Sequence, residues 1–85
     1  NIIIAYEPVW SIGTGLIPKS NDLLNSISFI KNKFPKKTPK VLYGGSVNSK
    51  NIAQLKDISV IDGFLIGGAS QSSKKFIDII KKTFN

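Results

Sequence analysis

Three short apolar runs, each followed by a glycine-containing loop and then a helical pattern, constrain the fold of this sequence most. The runs occupy residues 2–6, 41–43 and 64–66. β-Branched side chains on both faces of the first run favour a strand that is buried on both sides. The alternation of strands with helices predicts an α/β fold, with a parallel sheet and helices packed outside it. Because three strands leave two open edges, we expect the complete sheet to contain further strands.

The helical segments carry apolar stripes and end signals. Ser20 is predicted to cap a first helix, which Pro35 stops. Asn48 or Ser49 is predicted to cap a brief helix over residues 51–55. A last helix is predicted over residues 73–84. The stripe of the first helix contains Leu23, Leu24, Ile27, Ile30 and Phe34. The stripe of the last helix contains Phe76, Ile77, Ile80 and Phe84.

The composition excludes several classes of site. The sequence has no Cys and no His, the usual ligands of zinc, haem and iron–sulfur clusters, so we expect no metal and no cofactor. Proton chemistry must then fall to a carboxylate, a lysine or a tyrosine. No apolar run approaches the roughly 20 residues of a membrane span, and the sequence does not open with a signal segment. We therefore expect no membrane partner.

The charge balance is strongly positive. Twelve Lys and Arg against five Asp and Glu give a net charge of +7. Such an excess would fit a nucleic-acid partner, but the lysines gather at helix ends without arginine-rich stretches or interleaved aromatic residues. We interpret them as solvated helix faces, with long-range attraction of an anionic substrate as the alternative. No nucleic-acid partner is expected.

Glu7 is the one carboxylate placed where chemistry is expected. It lies at the carboxyl end of the first strand, directly before a long loop over residues 8–18. Ligands of β/α folds bind at this end of the strands. The structural alternative is a strand-end carboxylate that pairs with a lysine.

Glycines follow all three predicted strands. Backbone amides that glycines expose at the start of a helix bind anions, which makes Gly67 and Gly68 the best candidates. Ser46, after Gly44 and Gly45, adds a hydroxyl donor. The residues alone thus predict a phosphate or carboxylate site, with Glu7 beside it as a possible base.

Three motifs together resemble the triosephosphate isomerase family. Residues 6–15, YEPVWSIGTG, resemble its strand six and loop six; residues 43–47, YGGSV, resemble its loop seven; and residues 62–70, DGFLIGGAS, resemble its strand and loop eight. Their order and spacing match, and the resemblance covers residues 2–84. It implies the C-terminal three β/α units of an eight-stranded TIM barrel. Residues 1–85 would form one partial barrel domain, from strand six to helix eight, with no separate domains.

The resemblance implies a role for each matching residue. Glu7 would be the catalytic base, which moves a proton between C1 and C2 of dihydroxyacetone phosphate and glyceraldehyde 3-phosphate through an enediolate. The 8–18 loop would be a closing lid. The residues that bind the substrate phosphate would be Gly13, Ser46, Gly67 and Gly68. The lid and hinge residues would be Pro8, Val9, Trp10, Ile12, Thr14, Gly15 and Tyr43.

Two places depart from the family pattern. Ser11 stands where Ala is commoner, which we interpret as a small change at the lid tip. Leu16, Ile17 and Pro18 replace the commoner second hinge, and Pro18 is expected to stiffen it.

The resemblance also implies parts that this sequence lacks. The family's electrophilic His, its substrate-binding Lys and its dimer segments belong to earlier strands, and the sequence opens inside a strand without Met. We expect a fragment that is inactive alone, from a cytoplasmic, homodimeric isomerase of glycolysis and gluconeogenesis. The alternatives are another phosphate-binding barrel enzyme, which should lack the 7–15 motif, and a non-enzymatic remnant or split-gene piece that needs a complementary chain.

Overall fold

A parallel three-stranded sheet with helices packed against it makes up the computed structural model, which describes residues 2–84. The strands are β1 (Ile3–Tyr6), β2 (Lys40–Tyr43) and β3 (Gly63–Phe64), and they lie in that order. The helices are α1 (Ser20–Lys31), α2 (Ile52–Lys56) and α3 (Ser73–Thr83), with single 3₁₀ turns at Val9–Ser11 and Gly68–Gln71. No helix within residues 2–84 combines the length and the apolar character needed to cross a bilayer. The predicted α/β class with parallel strands is confirmed.

The strand register brings the carboxyl ends of all three strands to one edge of the sheet. Tyr6 lies opposite Tyr43, which in turn lies opposite Phe64. Backbone pairing extends one residue further, because the amides of Gly44 and Leu65 donate to the carbonyls of Tyr6 and Tyr43 at 3.0 and 2.9 Å. The third strand was expected over residues 64–66 but lies at residues 63–64, where its neighbour β2 ends.

The hydrophobic core lies on one side of the sheet. The first strand was expected to be buried on both faces, and this is wrong for residues 2–84: Ile4 and Tyr6 pack against the core, whereas Ile3 is 67% exposed. Nothing within residues 2–84 covers the outward face of β1. The fully buried apolar residues of the core are Leu23, Ile27, Val41, Tyr43, Ile52, Leu55 and Ile79.

The ends of the first two helices differ in detail from the sequence prediction. Ser20 is the first residue of α1, not its cap, and its hydroxyl accepts a hydrogen bond from Gln54 at 3.2 Å. The residue at the N-cap position of α2 is Asn51, so the prediction of Asn48 or Ser49 as its cap is wrong, and α2 begins one residue later than predicted. The side-chain oxygen of Asn48 instead accepts from the Lys50 and Asn51 amides, at 2.9 and 3.0 Å, in the turn before the helix.

The buried faces of the two long helices also differ from those predicted from the sequence. Leu23 and Ile27 of the first stripe are buried, but Leu24 is partly exposed. In α3 the buried residue is Ile79, which the prediction omitted, while Ile77, Ile80 and Phe84 are exposed. The apolar residues of α3 share one side of the helix, and its contact with α2 covers Ile79, which lies at the edge of that side. The hydroxyl of Ser72 caps this helix by accepting from the Lys75 amide.

An ion pair joins the end of α1 to the start of β3. The ammonium of Lys31 lies 2.9 Å from the carboxylate of Asp62, which also accepts from the Val41 amide at 2.8 Å. Burial alone would raise the pKa of Asp62, but these two hydrogen bonds and the lysine charge outweigh it, and the pKa is lowered. The ionised carboxylate therefore fastens α1 and β3 to the middle strand.

Replacing Asp62 with Asn should lower the free energy of unfolding by about 1 kcal/mol at pH 7, since the amide keeps an acceptor for Val41 but loses the charge. Because the folded-state pKa is below that of the unfolded chain, about 4, the carboxylate stabilises the fold above that pH. Its contribution disappears as the pH falls through the folded-state pKa. Urea unfolding of the complete gene product from pH 7 to pH 2.5 tests this, and a difference that persists at pH 2.5 would contradict it. The exposed Asp57→Asn is the matched control.

Candidate active site

The 8–18 loop, which follows β1, begins with a tight turn. Two later positions in the loop have backbone conformations that favour glycine. The amide of Ser11 donates to the Pro8 carbonyl at 2.9 Å, and the amide of Ile12 donates to the Val9 carbonyl at 3.2 Å. Gly13 and Gly15 have φ angles of 72° and 78°, in the left-handed region that side chains rarely adopt. A Cβ at either position would meet no atom within 4 Å, so the backbone conformation, not space, requires these glycines.

Ser46 fastens this loop to the turn after β2. Its hydroxyl accepts from the amide of Gly15 at 2.9 Å and donates to the carbonyl of Ser11. Ser46 is 8% exposed, so its bond to the Ser11 carbonyl is buried, whereas its bond to the Gly15 amide is partly buried. The 8–18 loop is therefore docked on the carboxyl end of the sheet.

A second set of contacts surrounds Ser11 and Tyr43, both of which are 0% exposed. Their hydroxyl oxygens lie 2.9 Å apart, although Tyr43 is 32 residues further along the chain. Burial raises the pKa of the Tyr43 hydroxyl, partly opposed by the hydrogen bond with Ser11. The phenol therefore stays protonated at neutral pH and can donate a hydrogen bond.

A cleft of about 520 Å³ opens between the 8–18 loop, the turn after β2 and the start of α3. We call it the glycine cleft. Glycines from all three loops and Ser46 line it, and the lysines Lys50 and Lys75 stand at its wall. Glycine-rich loops and ammonium groups suit an anion such as a phosphate. The cleft is lined by, among others, Gly13, Gly15, Gly45, Ser46, Asn48, Lys50, Gly67, Gly68 and Lys75.

Glu7 lies at the same edge of the sheet but does not line the glycine cleft. It is exposed and continues the outward face of β1 that carries Ile3. A Cβ built on Gly44 would lie 2.8 Å from Cγ of Glu7 and 3.1 Å from Oε1, so the glycine leaves room for the carboxylate above the end of β2. The side chain of Glu7 is thus open to solvent above the end of β2.

The remaining loop residues named from the sequence lie around these two features. Val9 is 83% exposed, and Trp10 and Ile12 are about half exposed. Thr14 stiffens the loop internally, since its hydroxyl donates to the Ser11 carbonyl and accepts from the Leu16 amide, each at 3.1 Å. Pro18, at the end of the loop, is buried. Within residues 2–84 no three acidic side chains approach one another closely enough to hold a metal ion.

The comparison with known proteins decides the family. The triosephosphate isomerase family model matches residues 1–83 of the 85. The chain belongs to the triosephosphate isomerase family. The strands and loops described above are accordingly part of a TIM barrel, as the motifs indicated.

Individual triosephosphate isomerases also match this chain over most of its length. The chain is 49% identical to that of Yarrowia lipolytica over 86 residues, which cover 94% of this chain and 34% of the relative. It is 46% identical to those of Candida albicans and Dehalococcoides mccartyi, covering 95% and 96% of this chain and 35% and 36% of the relatives. The chain thus spans about a third of the length of the curated triosephosphate isomerases it matches.

Three residues of the site were not identified from the sequence. Lys50 and Lys75 join the glycine cleft because of how α2 and α3 pack, and nothing in their local sequence distinguishes them from the other lysines. Ser11 was interpreted as a small change at the lid tip, and this is wrong: it is buried at the centre of the loop contacts. The feature of the sequence that could have indicated this role is a serine between the apolar residues Trp10 and Ile12.

Proposed function

We propose that this sequence carries the catalytic base and the phosphate-binding loops of a triosephosphate isomerase. The observation that carries the proposal is the meeting of three glycine loops in one cleft, at the sheet edge where Glu7 follows β1. The substrates would be dihydroxyacetone phosphate and glyceraldehyde 3-phosphate. Isomerase activity of the complete gene product toward dihydroxyacetone phosphate is the direct test.

In this proposal Glu7 is the base. Its carboxylate takes a proton from C1 of dihydroxyacetone phosphate and returns it at C2, through an enediolate intermediate. In the same conversion the oxygen on C1 loses its proton and the oxygen on C2 gains one. A carboxylate suits this role because a positioned general base needs to lie within hydrogen-bond reach of the proton that it removes. The exposed position above Gly44 gives it access to a substrate whose phosphate lies in the glycine cleft.

The phosphate would be held by hydrogen-bond donors with fixed directions. Gly13, Gly67 and Gly68 line the cleft together with Ser46, and the backbone amides of the three glycines would be the donors. In the docked loop the Ser46 hydroxyl hydrogen is bonded to the Ser11 carbonyl. Backbone donors that need no reorganisation bind an anion more strongly in a partly closed site than in water. Lys75, on the same wall, adds positive charge and favours the dianionic phosphate.

The 8–18 loop would be the lid. Pro8, Val9 and Trp10 form its first hinge, and Ile12, Thr14 and Gly15 belong to its body. In the docked arrangement Tyr43 and Ser46 hold it over the phosphate. A docked lid excludes water, which strengthens the interactions in the site and protects the reactive enediolate.

We further propose that the 85-residue chain has no isomerase activity by itself. Polarising the substrate carbonyl needs an electrophile, and the sequence has no histidine to supply one. In accord with the resemblance, the complete protein would act as a cytoplasmic homodimer without metal or cofactor.

The chain alone should therefore turn over dihydroxyacetone phosphate at least about 10⁴-fold more slowly than the complete gene product, because one base without electrostatic stabilisation supplies a small part of the barrier reduction. A coupled assay with purified proteins measures both rates. Comparable activity in the isolated 85 residues would overturn this proposal. Activity that appears only after mixing with a separately expressed preceding segment would favour a split enzyme.

A further inference from the structure

The hydroxyl of Ser11 has its full complement of hydrogen bonds. It donates to the carbonyl of Leu16 at 2.6 Å. Its oxygen then accepts from the amide of Ser46 at 3.2 Å and, since its own hydrogen is used, from the Tyr43 hydroxyl at 2.9 Å. One donor and two acceptor positions are all that a serine hydroxyl offers.

These three bonds join three segments of the chain. Leu16 belongs to the far side of the 8–18 loop, so that bond fixes the internal shape of the loop. Tyr43 ends β2 and Ser46 lies in the turn after it, so the other two bonds fix the loop to the sheet. Ser11 is fully buried at this junction.

We propose that Ser11 is a positioning residue that holds the lid in its docked state, through Tyr43 and Ser46. The hydroxyl touches neither the base nor the amides of Gly13, Gly67 and Gly68, and it acts by fixing the loop that carries Gly13 and Gly15. The effect on lid docking stands on the contacts alone. Its effect on catalysis rests on the proposed function.

Alanine, the commoner residue of the family at this position, could not substitute for Ser11 in this chain without loss. It would leave the Tyr43 hydroxyl and the Ser46 amide buried without their partner, which costs more than the bonds themselves contribute. Water cannot easily take the place of the hydroxyl, because the site is close-packed: a Cβ built on Gly45 would lie only 2.5 Å from Ser11 Oγ. The docked state therefore loses population to an undocked one.

Amide hydrogen exchange in the complete gene product measures docking without reference to activity. The amide of Gly15 is bonded to Ser46, not to the Ser11 hydroxyl, so it reports on docking and not on the deleted group. In Ser11→Ala its exchange should be at least about 10-fold faster than in the wild type. The amide of Gly44, bonded to the Tyr6 carbonyl in the sheet, should be unchanged. Ser59→Ala, at an exposed turn position, is the matched control and should alter neither rate.

Two results would overturn the proposal. Unchanged exchange at Gly15 would show that the lid docks without the Ser11 hydroxyl. Equal acceleration at Gly15 and Gly44 would show that Ser11 supports the whole fold and not the lid.

Steady-state kinetics give the second readout. In Ser11→Ala the kcat/KM for dihydroxyacetone phosphate should fall about 10-fold or more, mainly through a higher KM, because the lid amides contact the phosphate less often. Tyr43→Phe added to Ser11→Ala should cause little further loss, since both changes remove the same bond. Full additivity of the two losses would contradict the coupling. Absence of activity in the wild type would refute the proposed function and leave the exchange experiment as the test of Ser11.

Discussion

Replacing Glu7 with glutamine should lower the kcat of the complete enzyme by about three orders of magnitude. The amide is nearly isosteric with the carboxylate but cannot accept the substrate proton, and a positioned general base contributes about 10²–10⁴-fold. The KM should change little, because the groups assigned to phosphate binding line the glycine cleft and Glu7 does not. A coupled assay in both reaction directions measures kcat and KM.

The control for Glu7→Gln is Asp57→Asn, which makes the same chemical change at an exposed position beyond α2. It should leave kcat within about twofold of wild type, as surface substitutions usually do. Glu7→Asp keeps the base but withdraws it by one methylene, and a displacement near 1 Å should lower kcat by about 10². If Glu7→Gln kept more than a tenth of the wild-type kcat, another group would have to be the base.

Replacing Gly45 with alanine should have the largest effect on stability of any single methyl added to the site. The new Cβ would overlap the hydroxyl of Tyr43 and would lie 2.5 Å from Ser11 Oγ. Both neighbours are fully buried and cannot move into solvent. Overpacking costs about 1–3 kcal/mol, and separating the two hydroxyls leaves buried polar groups unpaired at a similar cost. We expect the free energy of unfolding to fall by about 3 kcal/mol.

Urea unfolding of the complete gene product tests the Gly45→Ala prediction. Gly68→Ala is the matched control, because a Cβ there meets no atom within 4 Å and the φ angle of Gly68 is not positive. Its free energy of unfolding should change by less than about 0.5 kcal/mol. A Gly45→Ala variant as stable as Gly68→Ala would mean that Tyr43 and Ser11 rearrange freely, contrary to the packing described here.

Much of the architecture could be predicted from local sequence patterns. Alternating apolar runs and helical stripes gave parallel strands with helices, because the side-chain period of each segment is set by its own backbone. Glu7 could be placed at a strand end, and Gly13 and Gly15 in a loop, by the same reasoning. The exposed outer face of β1 could not be predicted, since burial of Ile3 depends on what covers the sheet.

The sequence predicted less well which face of each helix is buried and which distant groups lie together. The apolar residues of α3 share one side of the helix, and packing against α2 decides that Ile79, at the edge of that side, is the buried one. The lysines of the glycine cleft are similar cases, because Lys75 differs from its neighbour Lys74 only in the direction that the packed helix gives it.

Local residue patterns were enough to indicate the family, the order of the strands and loops, and the one carboxylate that follows a strand before a glycine-rich loop. The role of Ser11 follows only from the folded chain. Its partners Tyr43 and Ser46 lie 32 and 35 residues away, and parallel pairing of β1 with β2 brings them to the 8–18 loop. Local patterns specify the conformation of a segment, whereas the partners of a buried hydroxyl depend on which distant segments the sheet places beside it.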